Sequence, residues 1–395
     1  MYLCCIILNI LMMKKAILSC FAIILFMVSC TNGERILTSA TGSIYECLVV
    51  MNNPVLTEAQ LATLAEHPLL QSNGSAYSEA VTHLYDLVSG VMGADMPCMP
   101  QMESYFTLTH VAPNAFDDFL KPTRNILYVD INPNQYTQTK AKMHVDVWST
   151  PQAYCHVQCP SNDEFIAWWL KEGNNIRDWF VRQELNRHAK FYKHATNREG
   201  RIRLIERIGV DMWIPEDYMF IMDTTFRLAP PSLSAGEDVD VLWFCNNKGP
   251  MRRDLVVYSY PYKDKNTFSL PYLNAQRDAV LGRIISGSVA GSYIGTEYKV
   301  FPPQFRALHV QKSGYAGEVR GLWKLYAGEA MGGPYVSHTR VDEIFQRVIT
   351  AEVFIYASGQ KKRNALRQAE AILYTMELPQ EVNQIADIQI SAPTN

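Results

Sequence analysis

The chain is 395 residues long, with a formal net charge of −3, 48% hydrophobic residues and 19% charged ones. That balance fits a globular protein with material for one large or two ordinary domains, and it excludes a broadly basic polyanion binder, nucleic-acid proteins included. Beyond the first thirty residues no apolar run approaches the ~20 residues that span a bilayer, so the body is expected to be soluble.

The N-terminus reads as a targeting segment. Lys14 and Lys15 precede a short apolar run, Ala16 to Met27, which ends in Val28-Ser29-Cys30. A basic start, about a dozen apolar residues and a small residue before the cut describe a secretory signal. Met12-Met13-Lys14-Lys15 places the expected start at Met13. The run Met27-Val28-Ser29-Cys30 resembles the lipobox of bacterial lipoproteins. That resemblance implies acylation of Cys30, palmitate among the chains, and a membrane anchor in which each buried methylene contributes ~0.8 kcal/mol. Residues 31–43 then form a tether. Its start, Thr31-Asn32-Gly33-Glu34-Arg35, is poor in acids, so the expected location is the outer membrane on its periplasmic side, with surface exposure left open.

Past the anchor lie Cys47, Cys98, Cys155, Cys159 and Cys245, an odd number that prevents a complete disulfide framework. Cys155 and Cys159 sit in an expected strand, Gln152 to Cys159, on one face but ~13 Å apart at 3.3 Å per residue. That is too far for a mutual disulfide or a shared zinc. Buried structural thiols are expected, with neither metal nor cofactor.

Residues 44–208 are expected to form an N-terminal half. Ile44 to Met51, Tyr105 to His110 and Asn125 to Ile131 are strands; Leu56 to Glu66, closed by His67-Pro68, and Ser75 to Val88 are helices. Pro113 opens a brief helix, and Gln135 to Val147 is ambiguous and leans helical. A long helix follows Ser161, capped by its polar start, with Phe165, Ile166, Trp168, Trp169, Ile176, Trp179 and Phe180 as a core-facing stripe. Its continuation carries Arg182, Arg187, Lys190, Lys193, Arg198, Arg201, Arg203 and Arg207 against Glu184, Glu199 and Glu206. This reads as a solvated face, or alternatively as a contact with an anionic surface.

Residues 209–379 are expected to form a C-terminal antiparallel α+β half, with 380–395 a loose tail. Tyr218 to Met222, Val239 to Cys245, Leu255 to Tyr260, Tyr293 to Val300 and Phe305 to Val310 read as strands, and Leu270 to Ile285 as a helix. Val319 to Tyr326 and Pro334 to Val341 flank a glycine-bent tip, Arg347 to Tyr356 adds a strand, and Asn364 to Met376 is an amphipathic helix. The expected fold class is therefore α+β.

Several runs carry a resemblance. Lys121 to Ile126, Tyr136-Thr137-Gln138, Asp146-Val147-Trp148, Tyr258 to Tyr262, Gly291-Ser292-Tyr293 with Thr296-Glu297, and Gly321-Leu322-Trp323 through Met331 to Pro334 and Ser337-His338 are similar to a lipoprotein family of Bacteroidetes catalogued as domain of unknown function 4837. The resemblance covers nearly all the mature chain and implies no reaction. The element order of the C-terminal half is also similar to the Mog1/PsbP-like fold, an analogy that carries no function.

The chemistry-bearing groupings are sparse. Ser337-His338 with Asp342 imitates a triad, but strand neighbours point to opposite faces. His338, Arg340 and Asp342 share a face and are expected to form a surface ladder. Glu297 with Glu318 is the one conceivable carboxylate pair of the glycosidase kind. HExxH, GxSxG, Walker and GxGxxG motifs are missing from the sequence. Glu297, Glu318, Arg320, His338, Arg340 and Asp342 are therefore the candidate binding residues. Lys361, Lys362, Arg363 and Arg367 cluster where a helix dipole disfavours cations, and form either a solvated loop or an anion-facing corner. The expected role is non-catalytic, binding or assembly in the cell envelope with an unknown protein or glycan partner. The alternative is an envelope hydrolase acting on glycan or peptide.

Overall fold

The structure, a computed structural model, describes residues 36–65, 81–228, 237–309 and 315–381. The leader, Cys30 and the first five residues of the tether lie outside the described residues, as do the start of the expected 75–88 helix and the tail from residue 382. In chain order the N-terminal half comprises β1 (Thr38–Ser39), β2 (Glu46–Val50), α1 (Glu58–Ala65), α2 (Leu84–Met92), β3 (Thr107–Val111), β4 (Asn125–Ile131), β5 (Lys140–Val145), β6 (Ser149–Thr150), β7 (Ala153–Cys159) and α3 (Asn162–His194). The C-terminal half comprises α4 (Arg198–Ile208), β8 (Met219–Leu228), β9 (Glu237–Asn246), β10 (Arg252–Pro261), α5 (Leu270–Ile284), β11 (Tyr293–Glu297), β12 (Gln304–Leu308), β13 (Ala316–Tyr326), β14 (Gly332–Asp342), β15 (Arg347–Tyr356) and α6 (Arg363–Leu373). The class is α+β.

The N-terminal sheet runs β3-β2-β4-β7-β5. Its first four strands are parallel, and β5 closes the edge antiparallel to β7. The stretch 135–147, which leans helical in sequence, is thus strand in its second half. Lys140, Lys142 and His144 alternate with Ala141, Met143 and Val145, and this two-residue period suits a charged edge strand. The described part of the second helix begins at Leu84. There the Asp86 carboxylate accepts from the His83 amide at 2.8 Å.

The C-terminal sheet is antiparallel throughout, ordered β11-β13-β14-β15-β10-β9-β8, with β12 sharing the β13 edge beside β11. One face carries Val241, Tyr258, Tyr335 and Val319 against α5; the other carries Leu255, Val257, Ile349, Ala351 and Val353 against α6. At the glycine-bent tip, Gly333 lies so close to β15 that a Cβ there would meet the Ile355 carbonyl oxygen at 1.9 Å.

One apolar core joins the halves. Tyr45, Leu127, Cys155 and Phe165 of the first belong to the same cluster as Phe244, Ile349, Leu366 and Ile372 of the second. The stripe on α3 does this joining. Ser161 Oγ accepts from the Glu164 amide at its start, and Phe165, Trp169, Ile176 and Phe180 are buried along its length. The basic stretch after Arg182 is dispersed around α3 and α4. Arg187 and Arg124 hold the buried Glu184, Arg203 pairs with Glu199 at 2.7 Å, and Arg207 with Asp223 at 2.9 Å. All five described cysteines are buried and unpaired. No described helix is long and apolar enough to cross a membrane.

Candidate functional site

Where α3 passes over the β12–β13 edge of the C-terminal sheet, side chains from both halves enclose a cavity of about 440 Å³. The α3 helix contributes Arg177, Asp178 and Arg182, β12 contributes Arg306, and β13 contributes Glu318 and Arg320. Arg367 comes from α6, Tyr374 follows it directly, and Tyr105 stands at the entry to β3. The wall is therefore lined by five guanidinium groups and two carboxylates.

The floor is charge-balanced. Glu318 receives Arg320 Nε at 2.9 Å, Arg306 Nη2 at 3.1 Å and His338 Nε2 at 3.3 Å. Arg320 reaches on to Glu370 of α6, which also accepts from Arg367 Nη1 at 2.9 Å. Glu318 is 1% exposed and Glu370 fully buried. Burial pushes the Glu318 carboxyl up, but Arg320, His338 and Arg306 pull it down further, and it ends well below the usual carboxylate range. Burial raises Glu370 likewise, and Arg320 and Arg367 overcome it, so this carboxyl is also held below its ordinary value. Both acids are ionised at neutral pH and cancel Arg320 and Arg367.

The rim is not balanced. Arg177 donates to Asp178 at 3.0 Å and lies 4.2 Å over the Tyr105 ring. Arg306 Nη1 stands 3.5 Å from the same carboxylate. Arg182 lies 6.0 Å from the Tyr374 ring centroid, and no carboxylate among the described residues pairs with it. Three rim arginines against one acid leave an excess of two positive charges. In addition, Arg367 Nε is buried without a partner among the described residues. Guanidinium groups fixed by aromatic rings and acids present donors to carboxylate or phosphate oxygens without reordering.

The candidate residues read from the sequence are only partly gathered here. Glu318 and Arg320 line the cavity and His338 supports Glu318 from below, with its ring 4.8 Å from Tyr374. Glu297 is elsewhere. It faces Leu322 across the strands, four residues or ~13 Å along β13 from Glu318. Its carboxylate is taken by Lys324 at 2.5 Å and the Lys299 amide at 2.6 Å. Ser337 and His338 stand on opposite faces of β14, the first in register with Val319 on the α5 side.

Two expectations need correction. His338, Arg340 and Asp342 are not a surface ladder: all three are buried, because β14 is central in its sheet and α6 with its following turn covers that face. Arg340 is spent on the Met376 carbonyl at 2.7 Å and Glu381 at 2.8 Å, and Asp342 on Arg347 at 2.8 Å. Lys361, Lys362, Arg363 and Arg367 are not one anion-facing corner either. Arg367 points into the seam. The helix start is neutralised by Glu103, whose carboxylate accepts from the Lys362 and Arg363 amides at 2.7 and 2.9 Å. The i,i+3 pairing of Arg367 with Glu370 is present, though wholly buried.

Sequence reasoning missed Arg177, Asp178 and Arg306 as site residues. Arg306 interrupts an apolar strand pattern at Phe305-Arg306-Ala307-Leu308, and an unexplained cation in an edge strand is the one cue it offered. Arg177-Asp178 breaks the aromatic stripe of α3 without any spacing that marks a site.

Comparison with known families divides the chain at the end of α3. Residues 77–193 match a domain of unknown function (DUF8532), and residues 197–375 match a second (DUF4837). No curated protein matches the chain. The pocket draws α3 from the first region and β12, β13 and α6 from the second, so it belongs to neither alone. The later region, from the cap of α4 to just past the end of α6, is thus similar to the DUF4837 family, a domain of unknown function.

Proposed function

We propose that the protein is a non-catalytic binding protein of the cell envelope, anchored through Cys30, whose seam pocket takes a small carboxylated or phosphorylated ligand. The observation that carries the binding reading is the uncancelled charge of the pocket: Arg177, Arg182, Arg306, Arg320 and Arg367 against Asp178, Glu318 and Glu370, around a cavity of about 440 Å³. A non-catalytic role is supported by the use already made of the potential acids. Glu318 is held ionised by two arginines, and Glu297 is bound by Lys324 in another part of the sheet. An anionic component of the envelope, glycan or lipid-linked, is the class of partner this chemistry selects. The envelope placement rests on the basic, apolar and Cys30 pattern of the leader.

Calorimetric titration of the full chain in mild detergent tests the binding, with inorganic phosphate, a uronic acid and the matching neutral sugar. The anions should bind with an affinity that falls as salt rises, and the neutral sugar should not. Arg306→Gln should weaken anion binding by ~1.5–3 kcal/mol, the worth of a hydrogen bond to a charged group. Equal binding of the neutral sugar, or an unchanged Arg306→Gln titration, refutes the reading. For the anchor, Cys30→Ala should leave the membrane fraction or accumulate as precursor; normal processing and fractionation would refute it.

A further inference from the structure

A second cavity, of about 340 Å³, lies between the end of α3, the segment Pro215 to Tyr218 before β8, the ends of β9 and β10, and α6. It shares no residue with the arginine pocket. Phe191, Tyr192 and Pro215 make its apolar wall, Glu216 and Asp217 supply acids, and Arg253 supplies the cation.

Three polar atoms of this wall are buried without a hydrogen-bond partner among the described residues: Tyr218 Oη, His188 Nε2 and Arg253 Nε. Tyr218 is only 3% exposed. Neighbouring polar groups are engaged elsewhere. Tyr192 Oη donates to the Gln368 carbonyl at 3.0 Å, the Asn246 amide donates to Asp217, and Asn197 Nδ2 donates to the Tyr218 carbonyl at 2.7 Å. The three residues that carry these unpaired atoms all line the one cavity. A buried polar group left unsatisfied costs ~1–3 kcal/mol, so three around one space call for an occupant that satisfies them. Burial pushes the Tyr218 hydroxyl far above its ordinary range, which keeps it a proton donor. Burial also lowers the His188 imidazole, which is therefore uncharged at neutral pH. The cavity consequently presents two donors, the Tyr218 hydroxyl and the Arg253 guanidinium, near two carboxylates.

We infer that this cavity is a second binding site, for a small zwitterion of the α-amino-acid type. The ligand carboxylate meets Tyr218 and Arg253, its ammonium group meets Glu216 and Asp217 and donates to the uncharged His188, and its side chain rests on Phe191 and Tyr192. This inference does not depend on the arginine pocket.

The test titrates the full chain in mild detergent with a panel of α-amino acids, and with acetate and methylammonium as the two half-ligands. An amino acid should bind saturably, at least about tenfold more tightly than either half-ligand. Tyr218→Phe removes only the unpaired hydroxyl; it should weaken binding about tenfold while leaving thermal stability unchanged or higher. Arg253→Gln should weaken it further, and Arg306→Gln should leave it intact. Absence of saturable binding by any amino acid overturns the proposal. Acetate binding as tightly as the best amino acid overturns the zwitterion. A Tyr218→Phe variant that loses stability but not binding would show that the hydroxyl serves an ordered water, and also overturns it. Should Arg253→Gln not fold, Tyr218→Phe decides alone.

Discussion

Replacing Glu370 by glutamine should make the protein less stable and its seam pocket a tighter anion site at the same time. Glu370 is fully buried and accepts from both Arg320 and Arg367. Glutamine keeps the size and one acceptor oxygen but removes the charge, leaving two buried guanidiniums to share Glu318. Breaking a buried ion pair on one side costs ~3–5 kcal/mol. The lower end applies here, because both guanidiniums border a cavity that water can enter. Removing one acid beside a site whose charges interact through an effective dielectric of ~20 strengthens a monovalent anion by ~1–2 kcal/mol. Urea unfolding at pH 7 reads the first effect and calorimetric titration with phosphate the second. The pH dependence adds a sign check. Because the folded Glu370 carboxyl lies below its ordinary value, its contribution is complete above the unfolded value of about 4.3 and is lost as pH falls through the folded one. The stability gap between wild type and Glu370→Gln should therefore close below about pH 4. A loss under ~1 kcal/mol at pH 7, as an exposed pair would give, refutes the energetics. Weaker phosphate binding by the variant refutes the site.

Other perturbations test other parts of the fold. Gly333→Ala puts a Cβ against the Ile355 carbonyl, where only backbone movement makes room, and should cost about 3 kcal/mol or more in thermal unfolding. Glu103→Ala uncovers the first amides of α6 and should cost ~1–2 kcal/mol, with faster hydrogen exchange confined to the first turn of that helix. Burial pushes the Cys155 and Cys245 thiols up to about 12 and Cys47 higher still. Peptide mapping after iodoacetamide treatment at pH 8 should find these three unlabelled in the native chain and labelled in guanidinium; native labelling would contradict their burial.

The fold was legible wherever the periodicity was strong. The aromatic stripe of α3, the alternation in β13 to β15 and the amphipathic α6 are each readable from residues a few positions apart, and each forms close to its expected range. The edge strand β5 was not, because its alternation is polar on one face and only weakly apolar on the other. Polar partners far apart in sequence were illegible too. Glu103 caps a helix 259 residues away, and Arg177 meets Arg306 through Asp178 only after both halves have folded. For the same reason His338, Arg340 and Asp342 read as surface. Their face of β14 becomes interior only when α6 is laid over it, and no local pattern announces that.

Two buried arginine clusters show why the seam, and not the sheet, is the place to look for a ligand. On the α5 side, Arg277 gives Nε and Nη2 to Glu352 at 2.8 and 2.7 Å and Nη1 to Thr296 at 3.0 Å, with the Tyr335 ring 3.9 Å beneath. Every nitrogen is used, and both partners are sealed from solvent. That cluster closes on itself, as a pair in the fold's interior must if it is to offset its own desolvation. The seam cluster uses the same chemistry and stops short. Among the described residues, Arg367 keeps an unpaired Nε and Arg182 has no acid, and Arg306 remains half-exposed while reaching for two carboxylates. Buried ion pairs are weak sources of stability, and apolar residues of similar volume would hold the halves together at least as well. A charge set that is incomplete on the side facing a cavity, beside one whose nitrogens are all used, is what the proposed anion would complete. That anion would also tie α3 to β12 and α6, so occupancy should stabilise the joint between the halves in proportion to RT ln(1 + [L]/Kd).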